Sequence, residues 1–121
     1  MTGALGGDTV TERTRLLLEG VLRQAEFPGG DELLRQASSV RVVGGPITML
    51  DLRPGDASAA SVFADGPIPL RALVSDGSGD LIGEILIWVE HGYLSGLEFA
   101  WWTDDAPHEL PIADHVTVTR Q

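Results

Sequence analysis

The chain has 121 residues, enough for one domain around one core, and its 43% apolar content suits a globular rather than a disordered protein. Eight arginines and no lysine stand against eighteen acidic residues, a net charge of −10, which argues against clamping a nucleic-acid backbone or adhering to an anionic membrane. The absence of cysteine removes disulfides, thiolate metal sites and cysteine nucleophiles.

Residues 1–8 are glycine-rich, carry no apolar core of a signal peptide, and read as a loose tail; residues 9–121 read as a single α+β domain. No apolar run approaches the roughly 20 residues of a membrane span, so a cytoplasmic protein is expected. The arginine-only basic set, with much Gly, Ala and Asp, suits a GC-rich bacterial genome. Thr9-Val10-Thr11-Glu12 fits a capping box, with Thr9 as N-cap and Glu12 reaching back. Leu17, Leu18, Val21, Leu22 and Ala25 then recur at helical spacing. Pro28-Gly29-Gly30 breaks that helix, and Asp31 can cap a second, shorter one that turns Leu33, Leu34 and Ala37 inward.

From Val40 the pattern becomes strand-like. Val40 to Val43 and Ile47 to Leu52 read as strands around Gly44-Gly45-Pro46, a turn or a bulge. A loop from Pro54 to Ser61 and a turn at Asp65-Gly66-Pro67 precede a strand from Ile68 to Val74. The polar turn Ser75 to Asp80 leads into a long hairpin, Gly83 to Trp102, which holds all three tryptophans and the only tyrosine. An acidic, proline-punctuated loop, Asp104 to Asp114, leads to a last strand over His115 to Thr119. Helices first and short connections after predict two N-terminal helices on one face of a mainly antiparallel meander sheet of four to six strands.

The hairpin turn decides which side chains share a face, because a one-residue slip moves a strand's side chains across the sheet. A two-residue loop, His91-Gly92, pairs Glu90 with Tyr93 and leaves a glutamate on each face. A three-residue loop, with Gly92 in the left-handed bulge position, pairs Val89 with Tyr93 and separates the faces cleanly. Ile85, Ile87, Val89, Tyr93, Leu97, Phe99 and Trp101 then share an uncharged face for the helices. Glu84, Leu86, Trp88, Glu90, Leu94, Glu98 and Trp102 share the other. Clean separation favours the three-residue loop.

The second face carries the candidate site. Trp88, Leu94 and Trp102 are candidate apolar anchors for a partner, unless a loop such as Ala57 to Phe63 or Pro107 to Pro111 covers them. In this register Glu84 and Glu98 are directly opposite, which calls for a shared proton or a cation. If Val74 pairs with Leu81, Arg71 falls opposite Glu84 and completes a structural ion-pair row. A glycosidase-like carboxylate pair is conceivable, but nothing else forms a sugar cleft. His91, His108 and His115 lack metal-ligand spacing, and the acidic loop lacks a calcium-loop pattern, so neither a metal nor a cofactor is expected.

Leu86 to Phe99, with Gly92-Tyr93-Leu94-Ser95-Gly96-Leu97-Glu98 at its centre, and Thr103-Asp104 with Pro107 and Leu110-Pro111, resemble a small, mostly actinobacterial family. Its members carry a GYLS-x-LE hairpin and a TD-x-x-P-x-x-LP tail; the resemblance covers roughly residues 68 to 119. Similar hairpins occur in small proteins beside toxin genes, which implies a binding role of the immunity type. The expectation is therefore a non-enzymatic protein-interaction module with a basic partner, or a homodimer. The alternative is a cystatin-like α+β domain holding a small molecule between helix and sheet.

Overall fold

The structure, a computed structural model, describes residues 5–24, 26–56 and 58–120. Residues 1–4 of the expected tail, and Ala25 of the expected stripe, lie outside the described residues. Helix α1 spans Leu5–Leu22. It begins four residues ahead of Thr9, which is therefore interior to the helix rather than its N-cap. Leu17, Leu18, Val21 and Leu22 form its buried stripe. Helix α2 spans Gly30–Ala37 and starts from Gly29, whose φ is +86°; Asp31 lies in its first turn rather than at its cap. Leu33 and Ala37 are fully buried, and Leu34 packs at the margin of the core.

The strands are β1 (Arg41–Gly44), β2 (Met49–Arg53), β3 (Gly66–Pro67), β4 (Leu70–Ser75), β5 (Leu81–Glu90), β6 (Tyr93–Trp101) and β7 (Val116–Arg120). Among the described residues they form one sheet in the order β1-β2-β6-β5-β4-β7, with β3 attached to β5. Every pairing is antiparallel. The fold is thus α+β, with β4-β5-β6 as its meander; β2 joins on the β6 side and β7 on the β4 side. The helices cover one face. Their stripes meet Leu50, Ala72, Val74, Ile85, Ile87, Leu97 and Phe99, all at most 2% exposed.

The hairpin corrects the expected register. Glu90 pairs with Tyr93, so the loop has two residues, His91 (φ 55°) and Gly92 (φ 85°). Two consecutive positive φ values give a turn whose twist matches that of the strands. Beyond it Val89 pairs with Leu94, then Trp88 with Gly96, so Ser95 is an extra, bulged residue. The bulge reverses the alternation of β6 and restores the separation that the turn alone would have destroyed. Ile85, Ile87, Val89, Leu97 and Phe99 reach the helix side as expected. Tyr93 and Leu94, which lie between turn and bulge, exchange faces. Leu94 is 0% exposed and belongs to the core.

Buried Gln36 ties the helices to this tip. Its Nε2 donates to the carbonyls of Ala59 and Gly92, both at 2.9 Å, and its Oε1 accepts from the Leu94 N–H at 2.9 Å. Helix α1 also reaches both edges of the sheet. At β1, Thr11 Oγ1 accepts from the Val42 N–H (3.3 Å) and Arg15 Nε donates to the Val40 carbonyl (2.7 Å). At β7, just past the end of α1, Gln24 donates to the Val116 carbonyl (3.2 Å) and accepts from the Val118 N–H (3.3 Å). Each edge is met at a carbonyl and at an N–H two residues on, the pair that a further parallel strand would take.

Candidate functional site

The face away from the helices is built from alternate residues of each strand. From β2 come Met49, Asp51 and Arg53, all exposed between buried Leu50 and Leu52. From β5 come Glu84, Leu86 and Trp88, half-buried between Gly83, Ile85, Ile87 and Val89. From β6 comes Glu98, opposite Leu86 on β5 and opposite Met49 on β2. Trp102 continues the β6 alternation past Trp101, with its N–H donated to the Ile82 carbonyl at 2.8 Å.

Two of the loops that could have covered this face go elsewhere. In the segment from Ser58 to Phe63, Ser61 Oγ donates to the Gly29 carbonyl (2.7 Å) and the Ser61 N–H to the Gly92 carbonyl (2.7 Å). Phe63 stacks edge-on against Phe27, with ring centres 5.8 Å apart. This loop therefore binds the end of α2 and the hairpin tip. The acidic loop turns towards α1, where Leu110 is buried and Glu109 pairs with Arg13 at 3.4 Å. Ala113 sits so close to Gly20 of α1 that any side chain there would collide with it. The short strand β3 does border the face, with Pro67 beside Trp88. Met49 and Trp102 remain 40% and 52% exposed.

Glu84 and Glu98 are not opposite each other. Glu84 faces Ala100 and Glu98 faces Leu86, because the turn and the bulge together shift the ladder by two residues from the expected register. Val74 likewise pairs with Gly83, not Leu81. Arg71 reaches Glu84 diagonally and pairs with it at 3.4 Å. Both groups are partly exposed, so the pair contributes little to stability. Glu98 is held differently: the Trp88 indole Nε1–H donates to Oε1 at 3.2 Å. Among the described residues no cation pairs with Glu98. The face is thus an apolar strip of Leu86, Trp88 and Met49 around a carboxylate that one hydrogen bond orients.

The expected anchors Trp88, Glu84, Glu98 and Trp102 are on this face together with Arg71; Leu94 is not. Sequence reasoning missed Met49, Arg53 and Arg41. Arg41 lies directly opposite Arg53 on the β1–β2 ladder, and both are exposed. Their alternation was visible in β2, but its meaning depends on β2 lying beside β6, a pairing of residues far apart in sequence. Among the described residues no group of three His, Asp or Glu side chains could hold a metal ion. No described helix is long and apolar enough to cross a membrane. No protein-family model matches the sequence, and neither a curated protein nor a solved structure matches it.

Proposed function

We propose that this protein is a non-enzymatic interaction module of the cytoplasm that binds a basic protein partner through the open sheet face. The observation that carries the reading is Glu98: a half-buried carboxylate, oriented by Trp88, bordered by Met49 and Leu86, with no cation paired to it among the described residues. A carboxylate in such a setting gains most from a partner's arginine or lysine that arrives as the surrounding apolar groups are desolvated. The net charge of −10 steers a cationic partner inward. A toxin with a basic site fits this chemistry, and the hairpin's resemblance to proteins encoded beside toxins favours an immunity-type inhibitor.

The test is capture of the host partner on wild-type protein, followed by binding measurements with Trp88→Ala and Glu98→Gln. Trp88→Ala should weaken association by roughly 2 kcal/mol or more while the melting temperature changes little. Glu98→Gln should slow association and flatten its salt dependence. If both variants bind as wild type does, the face is not the site.

A further inference from the structure

The same face holds unpaired arginines as well as an unpaired carboxylate. Arg41 and Arg53 stand directly opposite each other across β1 and β2, an unfavourable placement for like charges. Neither makes an ion pair among the described residues, although the chain has eighteen acidic side chains. Asp51, two residues from Arg53 on the same face, pairs with neither. The β1-β2-β6 half of the face therefore presents two cations, Arg41 and Arg53, and two anions, Asp51 and Glu98. Glu90 of β5 borders it beside Asp51 and Arg53, so two cations meet three anions, a far smaller acidic excess than that of the molecule as a whole.

We infer that a second copy of the chain is the resting occupant of this face, in a two-fold dimer that sets Arg53 of each copy against Glu98 of the other. The inference rests on the reading of the open face as an interaction surface. The register supplies the geometry. Glu98 is opposite Met49, and Arg53 lies four residues farther along β2 on the same face. The two are therefore separated by about 14 Å along the strands and one strand spacing of about 4.8 Å across them. A two-fold axis lying between two stacked faces, midway between these positions, carries each onto the other. That is the self-complementary contact that closed dimers use. Gly96 and its ladder partner Asp51 lie near the midpoint, flanked by Met49 and Trp88, so the axis also brings the two Asp51 carboxylates together and the two Arg53–Glu98 contacts must offset that repulsion.

Size bears on the same occupant. The six strands of the sheet's main path are only four to ten residues long, so at about 3.4 Å per residue and about 4.8 Å per strand the face offers on the order of 600 Å². That is below the roughly 800 Å² per partner of a standard interface and suits a weak, reversible dimer. Glu98 then has two competing cations, Arg53 of a second copy and one from the proposed partner. Self-association and partner binding exclude each other, and free protein is stored as a dimer that the partner splits.

Sedimentation velocity over a range of concentrations, at low and high salt, tests this. Wild-type protein should sediment as a dimer that dissociates on dilution and more readily in salt. Arg53→Glu and Glu98→Arg should each raise the dissociation constant at least about tenfold. The double variant, Arg53→Glu with Glu98→Arg, should restore dimerisation. All these positions are partly or fully exposed, and circular dichroism melts confirm that the variants fold. A wild-type protein that stays monomeric throughout overturns the inference, as do single variants that dimerise normally or a double variant that stays monomeric. Partner binding on the same variants keeps the two ideas apart. A monomeric wild type whose partner is lost on Glu98→Gln sinks the dimer alone. A swap-rescued dimer whose partner ignores Trp88 and Glu98 sinks the partner reading alone.

Discussion

Gly92 is constrained twice over. Its φ of +85° suits glycine, and a Cβ there would lie 2.5 Å from the Ser61 carbonyl oxygen and 3.0 Å from the Ala60 Cβ. The collision removes the tolerance that asparagine has for left-handed conformations. Gly92→Val and Gly92→Asn should both cost at least about 2 kcal/mol in denaturant melts, the first more than the second. His91 has the opposite character: it is exposed, and at φ 55° it occupies a place that asparagine fills better. Its backbone N–H bond to Asp65 Oδ1 (2.8 Å) survives substitution. His91→Asn should therefore stabilise the hairpin by about 0.5 kcal/mol. Gln36 satisfies three buried backbone groups with one amide. Gln36→Leu leaves the Leu94 N–H without its acceptor in the core and should cost about 2–4 kcal/mol by chemical denaturation. Asp76 shows the pH side of residue-level bonding. Hydrogen bonds from the Ser78 hydroxyl and N–H, and from the Asp80 N–H, hold its carboxyl below the usual aspartate value. The native state binds this proton less readily than the unfolded chain does. The turn's contribution is therefore complete above the ordinary aspartate value of about 3.9 and is lost as pH falls through the lowered native one. Asp76→Asn should remove that part of the acid dependence, read as a flatter plot of melting temperature against pH below 4.

At the scale of elements, the core was legible because period alone reveals it. Leu17, Val21, Ile85, Ile87, Leu97 and Phe99 follow helical or strand spacing, and each is at most 2% exposed. Leu97→Ala should cost about 2–5 kcal/mol, and a loss under half a kcal/mol in the same melts would contradict this packing. The hairpin shows the limit of such reasoning. Face segregation was the right criterion, but two devices can satisfy it. A three-residue loop does so at the turn; a two-residue loop with a bulge at Ser95 does so three positions later. The sequence Glu90-His91-Gly92-Tyr93 is compatible with both. The choice is made by distant groups, chiefly Gln36 on the Leu94 N–H and Asp65 on the His91 N–H. Leu94 was misplaced for that reason, while Trp88, Glu98 and Trp102, which lie beyond the bulge, were placed correctly. The site's outer half, Met49, Arg53 and Arg41, was illegible because it needs β2 beside β6, a contact that no local pattern encodes.

For the whole molecule, α1 does more than supply core leucines. Its middle, through Thr11 and Arg15, and the turn just past its end, through Gln24, bond to opposite edges of the sheet, at Val40 and Val42 of one and Val116 and Val118 of the other. Gln24→Ala should speed hydrogen exchange of the Val118 amide selectively, while costing only about 1 kcal/mol in global stability. Unchanged exchange at Val118 would mean that the side chain does not guard that edge in solution.

Because one helix and the turn just past it supply both clips, the two edges are released together. A chain whose α1 has peeled away would bare two strand margins at once, one on either side, and so become a bifunctional monomer for open-ended polymerisation. A single bared margin could only cap a growing end or pair once. The docking strength of α1 thus sets how readily both margins of the sheet are bared at once.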